Sequence, residues 1–169
     1  KKHQQLRLSG FMAYEAQVAG LGDRNPFKRF LNPVFGWVRR LSVKAVARLR
    51  AEIAAALKAD GHELKIVNGG GTGSLNYALD ETSLTEVTAG SALLSSHLFD
   101  YYSNIRFEPS AFFAVQAVRS SDAGYVTCLG AGYVASGEPG MDKVPVPYLP
   151  QGLSLIEAEA CGEVQTPLH

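Results

Sequence analysis

The sequence predicts an α/β fold that begins with parallel strands and ends in a β-rich part. Between residues 6 and 102, strand-like and helix-like segments alternate, and short glycine-rich loops follow two of the strands. This alternation is typical of βα units in a parallel sheet. After residue 110, apolar runs joined by a short polar turn replace it. They indicate either the start of a second domain or an antiparallel appendage.

The composition limits the class of protein. The chain has 169 residues, of which 46% are hydrophobic and 19% charged, so it is expected to fold. Its net charge is zero, which favours neither nucleic acid nor an anionic membrane as the main partner. No apolar run approaches the ~18 residues of a membrane-spanning helix. Two cysteines are too few for a disulfide framework, so a reduced, cytoplasmic location is expected.

The first elements are predicted from residues that interrupt helices and strands and from the spacing of apolar residues. A strand is predicted at residues 6–8. Residues 21–41 are predicted to be a connection, because glycine, asparagine and proline recur there, and their aromatic residues favour a docked insertion or a lid. A helix is predicted over residues 42–60, with Ser42 as its N-cap and Gly61 as its stop.

The later elements are read in the same way. Two glycine-rich turns are predicted, at residues 68–74 and 89–91, each after a short strand. The other predicted elements are strands at 64–67, 84–88, 111–118 and 125–129, helices at 75–79 and 93–102, a turn at 120–124 and a loop at 137–154.

Charge is unevenly distributed along the chain. Residues 24–58 contain nine Lys/Arg and one acidic residue, whereas residues 61–169 contain four Lys/Arg and twelve acidic residues. Nucleic-acid binding would need the basic residues on one face beside stacking aromatics. The favoured interpretation is an amphipathic helix with a solvated basic face that also pairs with the acidic part.

The two glycine-rich turns are the strongest candidates for a binding site. Glycines allow backbone N–H groups to approach an anion closely, and Thr72, Ser74 and Ser91 add hydroxyl donors. No lysine follows the first loop as a Walker motif requires, and Asn76 stands where a dinucleotide fingerprint needs glycine. Since both turns follow parallel strands, we expect them to converge on one phosphate.

These turns also carry a family resemblance. VNGGGTGS at residues 67–74, TEVTAGS at 85–91 and GEVQTPL at 162–168 resemble the D-threonine aldolase/D-serine dehydratase group, in particular its bacterial amino acid deaminase/aldolase branch. The resemblance extends from GFMAYE at residues 10–15 to the end of the chain. The group comprises fold-type III pyridoxal-phosphate (PLP) enzymes related to alanine racemase. It implies that residues 1–109 belong to a PLP-binding (β/α)₈ barrel and that residues 110–169 begin a β-rich, D-serine dehydratase-like domain.

The resemblance also implies a set of cofactor contacts. Tyr14 matches an aromatic residue that packs on PLP, and Thr88 falls where alanine racemases place an arginine facing the pyridine nitrogen. A threonine there bears no charge, so a weaker electron sink is expected. Glu86 lies two residues earlier on the same strand and should point to the same side as Thr88. The alternative interpretation is that its carboxylate only pairs with a neighbouring helix or loop. The implied phosphate contacts are Gly71, Thr72, Gly73 and Ser74 in the first turn and Gly90 and Ser91 in the second.

Catalytic residues of the family are not found in the chain. Members hold PLP as a Schiff base on a lysine of the first barrel strand, which is expected upstream of residue 1. No lysine of this chain has a matching context, and the four histidines show no metal-ligand spacing. A divalent metal therefore remains possible for the whole enzyme without a ligand assigned here. Cys128 is expected to be a packing residue.

The function implied is that of an excised segment of a PLP-dependent lyase. The substrate would be a small D-β-hydroxy amino acid, either cleaved between Cα and Cβ or dehydrated and deaminated. The alternatives are a non-catalytic PLP- or phosphate-binding protein and an amino acid racemase. The full-length enzyme is expected to be a homodimer without nucleic-acid or membrane partners, and the isolated segment is expected to be inactive.

Overall fold

The computed structural model describes residues 5–134 and 137–169, in two compact units, Lys1–Glu108 and Pro109–His169. The first unit contains helices and a three-stranded parallel sheet, and the second contains a three-stranded antiparallel sheet. The predicted α/β class is thus confirmed. Within the described residues, the parallel sheet does not close into a barrel. No helix of the described part is long and apolar enough to cross a bilayer.

The parallel sheet has the order β1 (Gly10–Met12), β2 (Ile66–Gly69) and β3 (Glu86–Val87). Gly10 pairs with Ile66, and Asn68 pairs with Glu86. Because the strands are parallel, the segments that follow all three leave from the same edge. This edge therefore gathers the loop after β1 and both glycine-rich turns.

The strand positions differ from those predicted. The strand expected at residues 6–8 lies instead at β1, while β2 starts two residues later than predicted and β3 is reduced to two residues. Leu6 is 77% exposed, so its apolar side chain has no strand partner to pack against. The backbones of β1 and β2 approach each other closely at Gly10. A residue with a Cβ would not fit there, because the Cβ would collide with the backbone carbonyl of Ile66.

The long helix α1 spans Asn32–Ala59 and begins ten residues before the predicted start. The connection predicted at residues 21–41 is therefore wrong over its second half. Pro33 lies in the first helical turn, where its missing N–H costs no hydrogen bond. Ser42 is not an N-cap: it is buried inside the helix and accepts a hydrogen bond from Gln17 Nε2. The predicted stop is confirmed, with Gly61 at φ +82° after the last turn.

The shorter helices were predicted with mixed success. Helix α2 spans Leu75–Leu79, as predicted. The helix predicted over residues 93–102 is wrong, because two 3-10 turns, Gly90–Leu93 and His97–Tyr101, lie there instead. Between them, Ser95 is buried at φ +48°, a conformation that no α-helix accommodates.

The second unit is an antiparallel sheet of β4 (Ala117–Ser120), β5 (Val126–Leu129) and β6 (Gln165–Leu168). β5 lies where a strand was predicted and contains the buried Cys128. β4 shares only residues 117–118 with its predicted run and extends two residues beyond it, into the start of the predicted turn. The predicted turn is present, with Gly124 N donating to Ser121 O at 3.1 Å. β6 was not predicted, since it contains Pro167, and prolines in sheets are confined to edges such as this one.

A buried arginine holds α1 against the rest of the first unit. Arg50 is completely buried, and its Nη1 donates to Glu15 Oε1 at 2.9 Å and to Ala13 O at 2.7 Å. Its Nε donates to Glu81 Oε1 at 2.9 Å, and its Nη2 pairs with the other oxygen of Glu81. The hydrogen bonds from Arg50 lower the pKa of Glu81 below its usual value, although burial opposes this.

The solvated basic face predicted for α1 is therefore wrong at two positions. Arg50 and Arg39 are both buried, while Arg40, Lys44 and Arg48 are exposed as predicted. Arg39 pairs with Asp23, and Arg50 pairs with Glu15 and Glu81. All of these residues belong to the first unit.

Asp23 ties the segment before α1 to the end of the first unit. Its carboxylate accepts hydrogen bonds from Ser103 N at 2.8 Å and Ser103 Oγ at 2.5 Å, and Arg39 Nη2 lies 2.9 Å away. Burial alone would raise the pKa of Asp23, but these three donors outweigh it and lower the pKa to about 2.

We predict that Arg50→Met lowers the free energy of unfolding of the full-length protein by ~3–5 kcal/mol, because it leaves two carboxylates without their buried cation. Arg48→Met, two residues away on the exposed side of α1, should change it by less than ~0.5 kcal/mol. Urea denaturation measures both. Equal effects of the two substitutions would contradict a structural role for the Arg50 pairs.

We predict that the stabilisation contributed by Asp23 is lost in acid. Its folded pKa is about 2, below the ordinary value of 3.8, so its contribution is complete above about pH 4 and disappears as the pH falls toward 2. The difference in stability between wild type and Asp23→Asn should shrink over this range, measured by urea denaturation at successive pH values. Ser103→Ala, which removes one donor, should give an intermediate pH dependence. A difference that is independent of pH would contradict the assignment.

Candidate functional site

A cavity of about 310 Å³ lies at the edge where the parallel strands end. All eight residues that sequence reasoning proposed as cofactor contacts line it, although they come from three separate segments. That these residues bind a cofactor stays a prediction. They are Tyr14, Gly71, Thr72, Gly73, Ser74, Thr88, Gly90 and Ser91.

The first glycine-rich turn is held closed by its own serine. Gly71 N donates to Ser74 Oγ at 3.1 Å, and Ser74 N donates to Gly71 O at 3.0 Å. The Ser74 hydroxyl in turn donates to Glu15 Oε2 at 2.8 Å. Since Glu15 also accepts from Arg50, the shape of this turn depends on the buried ion pairs behind it.

The glycines of the two turns have different structural roles. A Cβ added at Gly71 or Gly90 would meet no protein atom within 4 Å, so both positions leave open space at the cavity. A Cβ at Gly73 would lie 2.7 Å from Cε1 of the buried Tyr102. Gly73 is therefore required for packing, whereas Gly71 and Gly90 keep the cavity wall open to a ligand.

Thr88 belongs to a hydrogen-bonded series of three side chains. Its Oγ1 donates to Asn68 Oδ1 at 2.8 Å, and Asn68 Nδ2 donates to Glu86 Oε1. Asn68 is 4% exposed and is paired with Glu86 across the two strands. Glu86 and Thr88 thus reach the same side chain, and Thr88 and Asn68 both line the cavity.

Sequence reasoning missed three polar residues of the cavity wall. Glu15 follows Tyr14 and Asn68 is the first residue of the predicted turn at 68–74, and these positions are the signal that could have found them. Arg39 gave no signal, because it lies within a run of basic residues. It is 2% exposed, donates from Nη1 to Leu21 O at 3.2 Å and lies 5.1 Å above the ring of Tyr102. Burial raises the pKa of Tyr102 to about 12, so its phenol stays protonated near neutral pH.

Schiff-base and metal ligands were not assigned from the sequence. Lys1 and Lys2 lie outside the described residues, and the other five lysines do not line the cavity. In the described part of the chain, no three histidine, cysteine, aspartate or glutamate side chains are grouped as a metal site would require.

The fold resembles that of a known enzyme. The structure of this chain matches the crystal structure of D-threonine aldolase from Filomicrobium marinum, with a TM-score of 0.66 and 21% sequence identity. The match covers 96% of this chain and 40% of the aldolase chain. The chain has the fold of a fragment of a D-threonine aldolase. At this identity the likeness shows the fold alone. No family model and no curated protein matches the sequence.

We predict that the glycines of the first turn differ in their tolerance of alanine. Gly73→Ala should destabilise the full-length protein by ~1–3 kcal/mol, because its methyl group overlaps the Tyr102 ring. Gly71→Ala should change stability by no more than ~1 kcal/mol, in the stabilising direction, because Gly71 has an ordinary φ of −86° and free space around it. Thermal unfolding compares the two variants. A larger loss of stability for Gly71→Ala than for Gly73→Ala would contradict the open space seen around Gly71.

Proposed function

We propose that the chain is part of a PLP-dependent lyase that acts on small D-β-hydroxy amino acids. The observation that carries this proposal is the convergence of both glycine-rich turns, Tyr14 and Thr88 on one cavity at the ends of parallel strands. Crevices at this edge of a parallel sheet are the usual place for a ligand in α/β folds. The likeness to a D-threonine aldolase fold supports the same class of cofactor.

The residues present fit PLP. The cavity volume of about 310 Å³ lies at the lower end of the ~300–1,000 Å³ of small-molecule sites. Gly71 and Gly90 leave the space in which a phosphate group approaches backbone N–H groups, and Thr72 and Ser91 add hydroxyls at the same wall. Tyr14, 49% exposed at the cavity, offers a ring face for the pyridine to pack against.

Each part of the wall has a separate task in this proposal. The glycine-rich turns bind the phosphate, Tyr14 orients the ring, and Thr88 hydrogen-bonds the pyridine nitrogen. Once bound, PLP supplies a conjugated ring that delocalises negative charge from the α-carbon of the substrate. The Glu15–Ser74 hydrogen bond holds the first turn in the shape that this binding requires.

The complete enzyme is proposed to be a cytoplasmic homodimer. Residues 1–109 would form part of its (β/α)₈ barrel, and residues 110–169 would begin its β-rich domain. The Schiff-base lysine would lie upstream of residue 1. A divalent metal is not part of the proposal for this chain: either its ligands lie outside these residues or the enzyme departs from the metal pattern of the family. The chain by itself is then expected to be inactive.

The proposal is tested with the full-length protein. We expect a visible absorbance band from lysine-bound PLP and turnover of D-threonine or D-serine in preference to the L-isomers. Glycine plus an aldehyde would identify the aldolase, and a 2-oxo acid plus ammonia would identify the dehydratase. Bound PLP with no turnover of any amino acid would favour the non-catalytic binder, and exchange of D- and L-isomers would favour the racemase.

We predict that Gly71→Ala and Gly90→Ala each weaken PLP binding by roughly tenfold or more, since a methyl group in the open cradle removes hydrogen bonds to a charged group worth ~1.5–3 kcal/mol. Titration of the apo-protein with PLP measures the change. Gly36→Ala is the matched control, because it lies in α1 away from the cavity and its Cβ would meet Asp23 at an ordinary contact distance of 3.4 Å. Unchanged affinity in both cradle variants would contradict the placement of the phosphate.

A further inference from the structure

The series Thr88–Asn68–Glu86 determines which hydrogen bonds Thr88 can make to a ligand. An ionised glutamate carboxylate only accepts hydrogen bonds, so Asn68 must turn its NH₂ group toward Glu86. The carbonyl oxygen of the same amide then faces Thr88. A rotated amide would place this oxygen against the carboxylate, where the two would repel each other. The strand pairing of Asn68 with Glu86 keeps the two side chains adjacent.

The orientation of the Asn68 amide determines where the hydroxyl proton of Thr88 is directed. Thr88 Oγ1 lies 2.8 Å from Asn68 Oδ1, an acceptor, so its single proton is donated there. Only lone pairs of Thr88 Oγ1 then remain for the cavity. A ligand atom that hydrogen-bonds to Thr88 must therefore bring its own proton.

PLP has few groups that can meet this requirement. Its phosphate and its ionised phenol oxygen accept hydrogen bonds, and its ring nitrogen donates one when it is protonated. Resting on the function proposed above, we propose that Glu86 and Asn68 are positioning residues that make Thr88 an acceptor and so hold the ring nitrogen of bound PLP in its protonated form. This reverses the expectation from the sequence, in which an uncharged threonine implied a weaker electron sink, because a protonated ring withdraws electrons more strongly.

The test follows the ring nitrogen directly in the full-length protein. PLP labelled with ¹⁵N in the ring is bound to wild type and variants, and the ¹⁵N chemical shift is recorded as the pH is raised. Wild type should show a pyridinium signal at neutral pH. In Glu86→Gln, the neutral amide no longer fixes Asn68, so the pH at which the pyridinium signal is lost should fall by about one unit, a tenfold change in protonation.

An exchange of the two side chains provides the control. In the double variant Asn68→Asp with Glu86→Gln, the carboxylate at position 68 accepts from Thr88 and from the amide at position 86, and the local charge equals that of wild type. Thr88 is again an acceptor, so the pyridinium signal should be restored. A purely structural role for these residues would not predict this rescue. Cofactor circular dichroism and thermal unfolding show that each variant is folded and loaded.

The outcomes separate this inference from the proposed function. Bound PLP with a neutral ring nitrogen in wild type would overturn the inference and leave the proposed function intact. A pyridinium signal that is the same in wild type and Glu86→Gln would also overturn it, as would failure of the double variant to restore the signal. Absence of PLP binding in wild type would overturn both. Should Glu86→Gln fail to fold, the wild-type signal and the double variant decide the question.

Discussion

The buried guanidinium of Arg50 is the constraint on which the arrangement of the first unit depends. A fully buried cation needs partners for its charge and its N–H groups, and Glu15, Glu81 and Ala13 O provide them. These partners belong to the segment after β1 and the segment after α2, so Arg50 holds both segments against α1. Its effect extends to the cavity, because Glu15 binds the serine that closes the first glycine-rich turn.

The cavity wall combines open backbone with fixed polar side chains. Gly71 and Gly90 leave space, while Ser74, Asn68 and Arg39 are buried and already hydrogen-bonded to the protein. A site of this kind is organised before a ligand arrives, since its polar groups do not need to reorient on binding. Similar residues of this wall differ in their surroundings: Gly73 packs against Tyr102, whereas Gly71 has open space around it at the cavity.

A shared fold and a shared reaction are separate conclusions for this chain. The match to D-threonine aldolase covers nearly all of the chain at 21% identity, and it concerns the path of the backbone. The side chains and glycines that this backbone brings to one edge form the cavity, and they support the proposal of a bound PLP together with the fold. If Thr88 contacts a ligand as proposed, the hydrogen-bond series gives this uncharged residue a way to influence the electronics of the ligand, through the proton that Thr88 already donates to Asn68.

The sequence by itself determined the α/β class, helix α2, the end of α1 and the convergence of the two glycine-rich turns at one edge of the parallel sheet. These features depend on local spacing, on turn chemistry and on the rule that parallel strands share one carboxyl edge. Tertiary structure alone decided the start of α1, the strand bounds, β6 and the burial of Arg39 and Arg50. The bounds of a strand depend on its pairing with segments that are distant in the chain. The burial of an arginine depends on carboxylate partners that are also distant in the chain, so the local sequence does not distinguish a buried arginine from an exposed one. The hydrogen-bond partners of Asn68 were likewise decided by the tertiary structure, because Glu86 and Thr88 lie in and directly after a strand that is distant in the chain.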